Sequence, residues 1–87
     1  MVSFDKAIEL VRKRFPHDYI IEGFEYDNEY VFRILSHEYK NMHTNQSHLV
    51  SVDKNGEVNL FDASKAFNDL DGYGKAQNKA IKIDEIR

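Results

Sequence analysis
The sequence predicts an α+β fold, with an N-terminal helix laid on a four-stranded antiparallel sheet in the order α-β-β-β-β. A short helix and a C-terminal segment follow. Three observations carry this. "SFDKAIELVRKRFP" repeats its apolar residues at helical spacing, "YIIEGFEY" and "YVFRILSH" are β-branched and aromatic runs flanking Asp27-Asn28, and Asn55-Gly56 separates "LVSVD" from "EVNLF". One domain is expected over residues 1–73, with 74–87 as a C-terminal segment.

In the first helix Phe4, Ile8, Val11 and Phe15 fall at i, i+4, i+7 and i+11, and Ala7 and Leu10 widen the stripe. Ser3 is placed to cap the start, and Asp5 lies where the helix dipole favours a negative charge. Arg12, Lys13 and Arg14 occupy the last turn, where cations are favoured, and Pro16 stops the helix. One face is apolar and the other charged, so the helix needs a sheet to lie on.

The two long runs supply it, joined by a tight turn at Asp27-Asn28. In the second, Tyr30, Phe32 and Ile34 share one face, and Val31, Arg33 and Leu35 share the other. One face covers the helix. The other, through Val31 and Leu35, is left spare for partial exposure or for a partner. Val50, Val52, Val58 and Leu60 extend the apolar alternation around Asn55-Gly56, which reads as a type I′ turn. The expected core is Phe4, Ile8, Val11, Phe15, Phe32, Ile34, Val50, Val52, Val58 and Leu60. A calcium loop starting at Asp53 fits less well. Glycine comes at position 4 instead of 6, and position 12 is Ser64 instead of glutamate.

Beyond the hairpin, "DASKAFNDLDGYG" predicts a short helix capped by Asp62 or Ser64 and ended by Gly72. In "KAQNKAIKIDEIR", Ala76, Ala80 and Ile83 suit a helix, whereas Ile81 and Ile83 suit an edge strand; a loose tail is the third reading. Between the second and third strands lies the long polar stretch Glu38 to Ser47, which nevertheless carries Tyr39, Met42 and His43.

Composition narrows the function classes. Twelve basic against 15 acidic residues give a net charge of −3, which disfavours general nucleic-acid binding. Charges recur every few residues from the start, so no signal peptide or membrane span is expected, and a cytoplasmic location is the default. Without cysteine there is neither a disulfide framework nor a thiolate metal site.

His37, His43 and His48 are spaced by six and five, unlike the i, i+4 pair of a helical zinc site, and read as surface or loop-anchoring residues. Ser36-His37 and Ser47-His48 place adjacent side chains on opposite faces of a strand, which suits no nucleophile–base pair. The glycines match no phosphate-binding loop. No enzyme, no cofactor and no metal are expected.

The layout carries a resemblance. A helix ending at Pro16, two long strands, a polar gap and then "VSVDKNGEVNLF" resembles PepSY-like domains, and the continuation "ASKAFNDLDGY" is similar to small immunity proteins of bacterial polymorphic-toxin systems, over residues 4–73. Both resemblances imply binding or inhibition instead of catalysis.

The residues point the same way. Asp18, Glu22, Glu25, Asp27 and Glu29 form an acidic run with no basic residue among them, suited to steering a basic protein partner. The expected partner-binding set is Glu22, Glu25, Asp27, Glu29, Tyr39, Met42 and His43. The chain is then a non-catalytic protein-binding module, monomeric or homodimeric, of the inhibitor or immunity type. One alternative is a homo-oligomeric subunit pairing through the spare sheet face. Another is a weak metal-dependent enzyme built on the histidines. A neighbouring toxin gene would favour immunity, and neighbouring phage genes an inhibitor of a host protein.

Overall fold
The computed structural model describes residues 2–36 and 47–84. Helix α1 spans Phe4–Arg14. Ser3 caps it by accepting the Lys6 N–H at 3.1 Å, and the Phe15 N–H closes its end on the Val11 carbonyl at 2.8 Å. Strands β1 (Asp18–Tyr26) and β2 (Glu29–Ser36) then form a hairpin in which Tyr26 opposes Glu29. Asp27 (φ 51°) and Asn28 (φ 62°) are the two left-handed residues of the turn. Asn and Asp tolerate this region because their short polar side chains bond locally, and the resulting primed turn matches the strand twist.

Strand β3 (Ser47–Val52) pairs with β2, and β4 (Val58–Leu60) pairs with β3. Helices α2 (Ala63–Asn68) and α3 (Leu70–Gln77) follow. The chain ends its described course in β5 (Ile81–Lys82), giving a five-stranded antiparallel sheet in the order β4-β3-β2-β1-β5. The α+β architecture expected from sequence is therefore present, with one more strand and one more helix. The boundary drawn at residue 73 falls inside α3. Of the three readings for the tail, its start completes α3 and Ile81–Lys82 forms an edge strand.

The core lies between α1 and one sheet face. Ala7 and Val11 from the helix meet Ile20, Phe32, Ile34, Val50 and Val52, all essentially inaccessible. Phe4, Ile8, Phe15 and Val58 are half-buried around this centre. Leu60 corrects the expected core: it is 75% exposed. It shares the α1 face with Val50, but β4 is a three-residue strand at the sheet's edge, with no strand outside it among the described residues.

The opposite face is not spare. Val31 is fully buried. Tyr73 from α3 stacks on Phe61 (5.7 Å between centroids) and meets Phe24 (5.6 Å) and Tyr26 (5.3 Å) edge-on. Phe24 lies opposite Val31 in the β1–β2 register, so these rings cover the Val31 end of the face expected to be spare, while Leu35 at its other end is half-buried.

Two local expectations are corrected. Asn55-Gly56 does not form a type I′ turn, because only Gly56 is left-handed (φ 86°). The Gly56 N–H bonds to the Asp53 carbonyl at 3.0 Å and the Asp53 N–H to the Glu57 carbonyl at 3.1 Å. That is a type I turn closed by a glycine bulge, a three-residue hairpin loop. It is held by the Asp53 carboxylate, which accepts the N–H groups of Asn55 and Glu57, both at 2.9 Å. Gly72 likewise does not end a helix. Asp69 ends α2 and caps α3 by accepting the Gly72 N–H at 3.2 Å. A Cβ at Gly72 would collide with that carboxylate.

Candidate binding surface
The acidic hairpin is stitched into the fold by its own cations. Glu22 and Arg33 are register partners, with Oε1 and Nε 3.5 Å apart. Lys65 on α2 sets its Nζ 3.7 Å from Asp27 and 3.5 Å from Glu29. Pairs this accessible contribute about 0–1 kcal/mol each to stability. Their larger effect is on the field: opposite charges within 4 Å cancel most of what a distant partner would feel. Glu25, exposed and opposite Tyr30, forms no ion pair among the described residues. Tyr39, Met42 and His43 lie outside the described residues, so the structure does not bring them together with the hairpin.

The titratable groups with displaced protonation serve architecture. Arg12 donates from both terminal nitrogens to Asp84, at 2.9 and 3.2 Å, and the Ile20 N–H adds a third bond to that carboxylate at 2.8 Å. The Arg12 hydrogen bonds, reinforced by the Ile20 N–H, hold the Asp84 carboxyl below the usual range against the opposing effect of burial. The Ser64 hydroxyl and then its N–H lower Asp62, the cap of α2. Desolvation raises both Tyr26 and Tyr73, and Tyr26 is raised further by its hydrogen bond to Asp69. Among the described residues no group of three or more His, Asp or Glu side chains is close enough to hold a metal ion. His48 is exposed and meets Phe15 edge-on at 6.4 Å.

The outer edge of β4, which has no strand beside it among the described residues, is a different kind of surface. The Phe61 N–H bonds to the Leu49 carbonyl at 3.1 Å, and Glu57 accepts from Asp53, so residues 57, 59 and 61 turn their backbone groups toward β3. Strand alternation then points the N–H and C=O of Val58 and Leu60 outward. Beside them a shallow groove of about 310 Å³ is lined by Leu10, Lys13, Arg14 and Val58. Leu60 continues the same face two residues on.

Lys13 and Arg14 are exposed and form no ion pair among the described residues; the Arg14 guanidinium lies 5.9 Å from the centre of the Phe15 ring. Sequence reasoning treated these cations as last-turn dipole partners and Leu60 as core. The available signal is length: only the four residues Val58–Phe61 separate the Asp53–Glu57 loop from the Asp62 cap, too short a run to be shielded.

Comparison with protein-family models, with curated proteins and with solved structures finds no match. No helix among the described residues is long and apolar enough to cross a membrane.

Proposed function
We propose that this chain is a small, non-catalytic protein-binding module of the cytoplasm, of the inhibitor or immunity type, whose working surface is the β4 edge. The observation that carries the reading is Leu60. A leucine 75% exposed on the outer edge of β4, beside a groove of Leu10 and Val58 rimmed by Lys13 and Arg14, offers contact area that folding does not use. Two further features support it. Among the described residues the groups with displaced protonation are engaged in caps, an ion pair and ring packing. The layout resemblance to PepSY-like and immunity proteins also points to binding. The acidic hairpin is partly neutralised: Arg33 offsets Glu22, Lys65 offsets one of the two charges of Asp27 and Glu29, and Glu25 forms no ion pair among the described residues.

The test is affinity capture from the native host with the parent chain, Leu60→Ala and Glu25→Lys. A specific partner should co-elute with the parent and with Glu25→Lys but be lost with Leu60→Ala, since a buried apolar anchor at a hot spot is worth about 2 kcal/mol or more. Loss with Glu25→Lys and retention with Leu60→Ala would move the surface to the acidic hairpin. No specific partner would end the binding-module reading.

A further inference from the structure
We propose that the β4 edge accepts an acidic, extended peptide segment of a partner, which adds to the sheet as a sixth strand and sets its carboxylates against Lys13 and Arg14. This rests on the binding-module reading and specifies the partner's chemistry. The outward N–H and C=O groups of Val58 and Leu60 are a template for strand addition, because main-chain pairing asks only that the incoming segment be extended. Register and specificity then come from side chains. On the α1 face, the residue of such a segment beside Leu60 should be apolar and its same-face neighbours toward Lys13 and Arg14 acidic, since residues two apart share a face.

Charge decides between occupants. Arg12 is committed to Asp84 and Lys6 to Glu9, but Lys13 and Arg14 carry uncompensated charge at the rim of the groove. Glu57 and Asp62 bracket β4 at its two ends: alternation puts Glu57 on the face away from Val58 and Leu60, and Asp62, bonded to the neutral Ser64, keeps its negative charge four residues beyond the Val58 groove. A second copy of this chain fits poorly. Antiparallel β4–β4 pairing about a two-fold axis keeps both α1 helices on one face of the joint sheet, which sets Lys13 and Arg14 of each copy toward those of the other. An acidic segment converts that repulsion into attraction.

The experiment uses the full chain and two acetylated, amidated peptides in which every second residue is threonine and the residues between them alternate valine with glutamate in one peptide and valine with lysine in the other, so that one face carries both the apolar and the charged side chains. Binding is followed through the backbone amides of Val58 and Leu60 by NMR and hydrogen exchange. The glutamate peptide should bind at least about tenfold more tightly than the lysine peptide, weaken as salt rises, and slow exchange at Val58 and Leu60.

Leu60→Pro removes an outward donor that β3 does not use, so it should abolish binding while leaving the fold intact. The solvent-facing double change Lys13→Glu, Arg14→Glu should reverse the peptide preference. Equal binding of both peptides, no binding, or shifts confined to the Asp27-Asn28 hairpin would overturn the proposal. So would a concentration-dependent dimer abolished by Leu60→Pro, or slow exchange at Leu60 in the dilute chain alone. Should native-partner capture survive Leu60→Pro while the peptides fail, the strand-addition proposal falls and the binding-module reading stands.

Discussion
Gly56 and the pair Asp27-Asn28 show how much single residues decide. Both hairpins need left-handed backbone, but they use it differently: two consecutive residues in the first, one glycine in the second. Asn-Gly fits a primed turn and a glycine bulge alike, so the dipeptide marked a hairpin without specifying which. The choice fell to Asp53, whose carboxylate gathers two backbone N–H groups and favours the longer loop. Gly56→Val should destabilise the domain by about 1 kcal/mol or more, because a β-branched residue is strained at positive φ. Crowding adds to the strain, since a Cβ there comes within 3.3 Å of Leu10 and Val2. Denaturant unfolding checks this, and an unchanged midpoint would refute the assigned loop geometry.

At the scale of elements, α3 is held by one side chain more than by any stripe. Neither α2 nor α3 has a buried residue, and Phe67 and Leu70 are 75% and 67% exposed. Tyr73 supplies the attachment through its contacts with Phe24, Tyr26 and Phe61. Tyr73→Ala should cost about 1–3 kcal/mol and speed amide exchange across Leu70–Gln77, while β2 and β3 keep their protection. Equal acceleration in the central strands would show that α3 and the sheet open as one unit. At i, i+4 and i+7 in the sequence, Ala63, Phe67 and Leu70 would form a stripe on one face of an unbroken helix. Asp69 breaks the helix within that stripe, and the larger side chains face solvent.

Across the whole molecule, the chain's two ends are tied by the Arg12–Asp84 pair, which spans 72 residues and joins α1, β1 and the segment after β5. The folded-state pKa of Asp84 lies below its unfolded value, so the folded state binds fewer protons at this site. Its contribution is therefore complete above the ordinary carboxylate pKa of about 4 and is lost as pH falls through the lower folded value. Replacing Asp84 with Asn should cost about 1–2 kcal/mol near neutrality, discounted for the half-exposed Arg12, and should flatten the acid limb of the stability profile. Parallel pH profiles for the parent and the variant would rule out this site as the source.

Short-range physics made α1, the first hairpin and the alternation of β2 and β3 legible in the sequence alone. A cap, a 3.6-residue period, a two-residue alternation and a tight turn each depend on neighbours within a few positions. Only the tertiary structure decided the rest. Ile81 and Lys82 become a strand because Glu22 and Gly23 offer them an edge, far away in the chain. The outward field of Glu22, Asp27 and Glu29 is reduced because the register brings up Arg33 and the placement of α2 brings up Lys65, two cations against three carboxylates. Val31 and Leu60 exchange their expected environments for the same reason. An alternating pattern gives a residue's face, but whether that face is covered depends on which remote element lies across it.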